Sequence, residues 1–352
     1  MSEMLGDSVN KHFWNRTLKL GWVLWAVSSV AWADDVSDMR YSERPEVVAF
    51  AEDLIRQHDF GRGELLGLFK AAERQQAVID AYKKPAERAL RWDEYRPIFI
   101  QESRIAAGAE FMREHAEILA RAEAEYGVPP EMVAAIIGVE TRFGRYKGKH
   151  PVFDSLVTLA FDGQERRRAF FRKELKAFLL LCREQGFVPR EVVGSYAGAM
   201  GMPQFIASSY RAYAVDFDQD GRIDLFDNVE DVIGSVANYF QRHGWRAEGQ
   251  VVTPATLAQN SQAKAVGRGR TGMKPETPYQ DYRGQGVKAA ESLADTEEVV
   301  LLHYLDGEED LYYLGHHNFY VISRYNHSSM YSLAAWQLAG MIAERYSQRQ
   351  ES

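Results

Sequence analysis

The segment Pro130-Glu131-Met132-Val133-Ala134-Ala135-Ile136-Ile137-Gly138-Val139-Glu140-Thr141-Arg142-Phe143-Gly144 decides how the rest of the chain is read. Its pattern predicts a helix over 130–140. Proline is tolerated in a first helical turn, where its missing N–H has no intrahelical partner. Val133, Ile136, Ile137 and Glu140 stand at i, i+3, i+4 and i+7, so one face carries three apolar side chains and then a carboxylate. With that stripe facing a core, Glu140 points inward at the helix end. Desolvation there raises a carboxyl pKa, as a general acid near neutral pH requires. Gly144 lets the chain turn away and leaves the carboxylate lining a cleft. The same pattern also fits a structural role, in which Glu140 pairs with Arg142 or Arg145 and a nearby cation lowers its pKa.

Upstream, 34–125 reads as an N-terminal helical domain. Val47, Val48, Phe50, Ala51, Leu54 and Ile55 recur at helical spacing, and a second amphipathic stretch over 104–125 stops at Gly127 and Pro129-Pro130. Downstream, helices are expected over 165–185 and 229–243 within a core spanning 126–250. The segment 251–317 reads as a small β-rich insertion. Gly267, Gly269, Gly272, Gly284 and Gly286 mark loops and short strands, and the apolar run 299–305 can return through an Asp306-Gly307 turn into 311–314. Residues 318–352 lead back to the core and end in a helix over 329–346. The fold class is mainly α, an α+β chain with a helical core.

At 352 residues the chain can bury a sizeable core. Its formal charge of −8 argues against broad nucleic-acid binding. Residues 1–33 have the form of an export signal: Lys11, Arg16 and Lys19 precede an apolar run that ends in Ala31-Trp32-Ala33. Its removal takes away three basic and two acidic residues and leaves about −9. The expected location is therefore the periplasm. No cysteine follows that segment to carry a lipid anchor, because Cys182 is the only one, and Leu179-Leu180-Leu181 beside it point to a buried thiol.

Two further segments are rich in small and polar residues. Ser195-Tyr196-Ala197-Gly198-Ala199-Met200-Gly201-Met202-Pro203-Gln204-Phe205 offers glycines for close backbone approach, a proline that can restart a helix, and the hydroxyl and amide of Ser195 and Gln204. It also fits a tight interhelical turn with methionine filler. Tyr325-Asn326-His327-Ser328-Ser329-Met330-Tyr331 precedes the last helix, with Ser328 or Ser329 as its N-cap. Together with Gly138-Val139-Glu140-Thr141-Arg142-Phe143-Gly144, these segments resemble, in order, three signatures of the membrane-bound lytic murein transglycosylase B family. The resemblance covers about 40–345.

That resemblance implies a goose-lysozyme-like core and cleavage of peptidoglycan glycan strands, between N-acetylmuramic acid and N-acetylglucosamine, with Glu140 as the one acid/base. It implies 1,6-anhydromuramyl products formed without water. It also implies that Ser195, Met202, Gln204, Tyr325, Asn326 and Tyr331 line the substrate cleft. Most glycosidases use two carboxylates. Near Glu140 no second acid stands in a comparable motif, and Asp154 and Asp162 are the remaining possible neighbours. A monomer is expected, with cell-wall synthesis proteins as possible partners.

Asp216-Phe217-Asp218-Gln219-Asp220-Gly221-Arg222-Ile223-Asp224 matches the start of an EF-hand loop, with carboxylates at positions 1, 3 and 5 and glycine at 6. Arg222 would offer its carbonyl. Position 12 is Asp227 rather than Glu, and the resemblance implies a longer loop, 216–231, closed by Asp231 or Glu230; Asp231 is preferred because it directly precedes an apolar helix start. Oxygen ligands at this density favour Ca²⁺ over Zn²⁺, in a stabilising rather than a sensing site.

Overall fold

The computed structural model describes residues 39–83, 90–267 and 273–348, so the expected export signal lies outside the described residues, as do Gly269 and Gly272. After a 3₁₀ turn at Tyr41–Glu43 come helices α1 (Pro45–His58), α2 (Arg62–Ala71) and α3 (Gln76–Lys83), then α4 (Trp92–Phe99), α5 (Glu102–Glu114) and α6 (Ala116–Tyr126). Val47, Ala51 and Leu54 of α1 are buried at the expected spacing. The single helix expected over 104–125 is in fact two. His115 leaves helical dihedrals (φ −119°, ψ 26°), and its ring packs edge-on against Phe111 at 4.6 Å. No glycine or proline marks that break. Gly127 closes α6 with φ +69°.

Helix α7 (Pro130–Thr141) begins where expected and runs one residue further. Every residue from Met132 to Val139 is buried, so it is apolar all round rather than striped. Such a helix belongs at the centre of a core, where each Val or Ile contributes about 1.5–3 kcal/mol of burial. Then follow β1 (His150–Pro151), α8 (Val152–Phe161), α9 (Glu165–Gln185), β2 (Val193–Gly194), α10 (Ala207–Tyr213) and α11 (Val229–Arg242). Cys182 of α9 is buried, and burial pushes its thiol up to about 12.

The main sheet comprises β3 (Val252–Leu257), β4 (Thr277–Pro278), β5 (Val287–Ala289), β6 (Glu298–Asp306) and β7 (Glu309–Gly315), with helix α12 (Tyr279–Gly284) between β4 and β5. The strand order is β4-β6-β7-β3-β5, and all neighbours are antiparallel. The expected hairpin is β6–β7, with Asp306 opposite Glu309 and Gly307 at φ +64°. The dense apolar run in β6 follows from burial on both faces. Val300, Leu302 and Tyr304 pack with Trp92, Tyr95 and Leu333, while Val299 and Leu301 pack with Tyr279 and Tyr282. The chain returns through α13 (His317–Tyr325) to α14 (Ser329–Gln348), which packs on α5 and α7.

Candidate active site

Immediately after α7 three consecutive residues take left-handed backbone conformations: Arg142 (φ +50°), Phe143 (φ +59°) and Gly144 (φ +83°). The two non-glycine residues each cost roughly 1–3 kcal/mol, which the surroundings must offset. The N–H groups of Arg142 and Phe143 donate to the Gly138 and Ile137 carbonyls at 3.1 and 3.3 Å. The Phe143 ring lies over Gly138, where a Cβ would come within 2.6 Å of it, so a larger residue would have to push the ring aside. The helix thus stops abruptly one residue after the half-buried Glu140.

Tyr331, in the first turn of α14, donates its hydroxyl to Glu140 Oε1 at 2.6 Å. Burial first, then the charge of Glu140, pushes the Tyr331 hydroxyl far above its ordinary range, so it remains a neutral donor. The Arg142 guanidinium reaches Gln101 Oε1 at 3.4 Å and lies over the Tyr146 ring at 5.8 Å. Asp154 and Asp162 serve the N-terminal helices: Asp162 binds Arg44 at 2.7 Å and Tyr41 at 2.6 Å, and Asp154 accepts the Glu73 N–H at 3.2 Å.

The second signature is a pair of tight turns. Ser195 Oγ accepts the Ala199 N–H at 3.0 Å, and the Ser195 N–H donates to the Ala199 carbonyl at 2.8 Å. Gly201 (φ +69°) rests against the Leu225 carbonyl, which a Cβ would approach to 2.4 Å. Gln204 is left-handed at φ +51° and donates its amide to the Gly201 and Lys147 carbonyls at 3.0 and 3.2 Å. Pro203 does not restart a helix: α10 begins at Ala207, and the Pro203 carbonyl instead accepts the Tyr325 hydroxyl at 2.6 Å. Asn326 follows α13 in extended backbone (φ −139°, ψ 122°), and its carbonyl accepts the Ser328 N–H at 2.8 Å. Ser328, rather than Ser329, accepts the Tyr331 N–H, at 3.4 Å.

Hydrogen bonds join the three signatures into a closed ring. Tyr331 reaches Glu140 and Tyr325 reaches Pro203. The third link is Thr141, which sequence reasoning passed over. Its hydroxyl donates to the Met202 carbonyl at 2.9 Å and accepts the Gly144 N–H at 3.0 Å, while the Met202 side chain packs on Gly144. The available signal was a hydroxyl residue directly after the carboxylate and buried with it (1% exposed).

In the acidic loop, carboxylate oxygens of Asp216, Asp218 and Asp231 lie within 4.8 Å of one another. Asp231 is fully buried at the start of α11 and accepts the N–H groups of Phe217 and Asp224 at 2.7 and 2.8 Å. Asp220 stands apart from this group, its carboxylate turned to the Arg222 N–H at 2.8 Å. Asp227 pairs with Lys147 at 2.8 Å and Glu230 with Arg121 at 2.9 Å, which leaves Asp231 as the closing residue of the cluster. The loop also supports the second signature, since the Met202 N–H donates to the Leu225 carbonyl at 2.8 Å.

Comparison with known proteins identifies the family. Residues 42–340 match the family described as Transglycosylase SLT domain. The chain is 38% identical over 312 residues to the membrane-bound lytic murein transglycosylase B of Escherichia coli (strain K12), covering 86% of this chain and 84% of that one. The crystal structure of soluble lytic transglycosylase SltB1 from Pseudomonas aeruginosa superposes with a TM-score of 0.81 at 46% identity, covering 86% of this chain and 100% of the other. The Escherichia coli lytic transglycosylase Slt35 in complex with calcium gives 0.79 at 37% identity, over 87% and 95%. The helical, lysozyme-like fold inferred from the sequence is therefore the one these enzymes share. The chain belongs to the SLT transglycosylase family and is a lytic transglycosylase that cleaves peptidoglycan.

Proposed function

We propose that Glu140 is the single acid/base of this cleavage. The observation that carries the reading is the Tyr331 hydroxyl fixing Glu140 Oε1 at 2.6 Å, at a helix end joined to both other signatures. Protonated Glu140 gives its proton to the glycosidic oxygen between N-acetylmuramic acid and N-acetylglucosamine. The bond from that oxygen to C1 breaks, and the neighbouring 2-acetamido group stabilises the cation at C1. The C6 hydroxyl of the same sugar then attacks C1, and anionic Glu140 takes up its proton. The product is a 1,6-anhydromuramyl end, and the enzyme returns to its starting protonation state. Ser195, Gln204, Tyr325, Asn326 and Tyr331 hold the strand, and Met202 forms the wall beside the turn. The left-handed backbone of Gln204 supports such a role, because strain of this kind concentrates at binding sites.

The same reading places a Ca²⁺ ion on Asp216, Asp218 and Asp231; Asp220 and the Arg222 carbonyl, which the loop pattern adds, would have to turn toward the ion to join them. Three converging carboxylates, one fully buried, are the donors a hard cation requires. The ion would balance their charge and stiffen the loop under Met202. The enzyme acts on glycan strands in the periplasm, where the leader-like segment at 1–33 would deliver it; among the described residues no helix is long and apolar enough to cross a membrane.

Mass spectrometry of purified sacculi digested with the enzyme and with Glu140→Gln tests the chemistry. Anhydro-muropeptides are expected from the parent, and from the variant about 10³-fold more slowly. Reducing-end products from the parent would replace this mechanism with a hydrolytic one, and anhydro products released by the variant at the parent's rate would remove Glu140 from it.

A further inference from the structure

Lys147 stands between the turn that follows Glu140 and the acidic loop, and it is bonded in both directions. Its side chain is 29% exposed, and Nζ donates to the Phe226 carbonyl at 2.7 Å and to Asp227 Oδ1 at 2.8 Å. The bond to the main-chain carbonyl is the firmer of the two, because Asp227 is 79% exposed and such ion pairs contribute little. At its other end, the Lys147 carbonyl accepts the Gln204 amide at 3.2 Å. The backbone on either side is confined. Before it, the Tyr146 N–H donates to the Thr141 carbonyl at 3.0 Å. After it, Gly148 is left-handed at φ +97°, and a Cβ there would come within 2.1 Å of the Gly194 carbonyl. His150 then pairs with Gly194, so the segment runs beside the start of the second signature.

The Gln204 amide gives this carbonyl a purpose. Its Nε2 donates to the Gly201 carbonyl at 3.0 Å and to the Lys147 carbonyl. Carbonyls only accept, so these two bonds decide which end of the amide is nitrogen, and they use both of its hydrogens. What Gln204 can offer a substrate is therefore Oε1, an acceptor for a sugar N–H or hydroxyl. Gly201 belongs to the same turn as Gln204, three residues away, whereas Lys147 is 57 residues away and holds the amide from outside that turn. We propose that Lys147 is a positioning residue for the substrate. Its ammonium, anchored on the acidic loop, fixes the carbonyl that orients the Gln204 amide, so that Oε1 faces the glycan. This rests on the reading of Gln204 as a strand contact. It gives the acidic loop a route to the cleft that is separate from the bond between Leu225 and Met202.

The test measures kcat, KM and the melting temperature of the full chain on soluble, uncross-linked glycan strands. Four variants are compared with the parent: Lys147→Met, Lys147→Arg, Gln204→Ala and the double variant Lys147→Met with Gln204→Ala. Lys147→Met keeps the length of the stem and removes the ammonium. It is expected to raise KM about fivefold and to change kcat by less than about twofold, the signature of a lost binding contact. Lys147→Arg, which keeps donors for the Phe226 carbonyl, should recover most of that KM. In the double variant KM should match Gln204→Ala alone, because a residue that acts through Gln204 has nothing left to position. Losses that add overturn the proposal. So does a KM raised equally by Lys147→Met and Lys147→Arg, which would make the role one of packing. A lower melting temperature with KM unmoved would leave Lys147 a brace for the loop and also overturns it. A Gln204→Ala variant with the parent's KM removes the strand reading of Gln204 and this proposal with it. A raised KM in Gln204→Ala, with none in Lys147→Met, removes this proposal alone.

Discussion

Glu140 and Asp231 are both carboxylates at helix ends, but at opposite ends. Glu140 closes α7, where the helix dipole presents its negative pole, and Asp231 opens α11, at the positive pole. Glu140 receives a neutral tyrosine hydroxyl. Asp231 receives two backbone N–H groups and stands with Asp216 and Asp218. Burial, with the charges of Asp218 and Asp216 behind it, still holds the Asp231 carboxyl above its ordinary range. Carboxylates gathered at a positive pole are arranged to hold a cation. In the proposed reading, the same functional group serves two purposes according to its neighbours.

The largest expected effect separates the two. Glu140→Gln should lower kcat by about 10³-fold, within the range of acid/base contributions, and leave the melting temperature nearly unchanged. Chelation of calcium should do the reverse. At an ion concentration about 100 times its Kd, binding stabilises the folded state by about 2.7 kcal/mol, so a metal-free sample should melt roughly 5 °C lower. Asp231→Asn should remove that calcium-dependent difference, while Glu140→Gln preserves it. If chelation leaves the melting curve in place, the cluster does not hold an ion and the contrast fails.

Tyr331→Phe removes the donor to Glu140 without emptying the space. A hydrogen bond to a charged group contributes about 1.5–3 kcal/mol, so kcat should fall about 10–100-fold with a smaller change in KM. A change in KM alone would make Tyr331 a substrate contact and nothing more. The ring predicts a smaller loss at Thr141. Thr141→Val leaves the Met202 carbonyl and the Gly144 N–H without their partner, and kcat should fall about fivefold to tenfold. Thr141→Ser, which restores the hydroxyl, should restore most of the rate. Equal losses in both variants would point to packing of the threonine methyl rather than to the ring.

The sequence was legible where one segment carried its own signal. Gly127 and Pro130 bound α7, the apolar stripe led to Glu140, and Asp306-Gly307 sat at the β6–β7 turn. Helix α8 was not legible, because all ten of its residues are buried and no polar face marks a period. Nor was the break at His115, which no glycine or proline marks. In the site, the residue types and order of the three signatures could be read, but not their joinery. Tyr331 and Glu140 are 191 residues apart, and only the packing of α14 on α7 brings them together. Lys147 escaped because a lysine in a turn reads as a solvated charge, whereas here its ammonium is bonded to the Phe226 carbonyl. In the acidic loop, spacing alone left Asp231 and Glu230 open; the Arg121 ion pair is what draws Glu230 aside.

A third carboxylate sharpens the comparison with the smallest expected effect. Asp154 is 3% exposed on α8 and, among the described residues, is not part of a cluster of acids arranged for a cation. Burial holds its carboxyl above the ordinary range, outweighing the Glu73 N–H and Arg190, which lies 3.8 Å away. A carboxyl whose folded pKa exceeds its unfolded one binds its proton more tightly in the folded state. It therefore favours folding below the unfolded pKa, and that contribution is lost as pH rises through the folded pKa. Asp154→Asn keeps an acceptor for the Glu73 N–H and removes the buried charge. It should raise the melting temperature by about 1–2 °C at pH 7 and by nothing at a pH below both pKa values. A lower melting temperature at pH 7 would mean that the Arg190 pair outweighs burial. Asp154 would then join Glu140 and Asp231 as a carboxylate whose charge the fold has provided for.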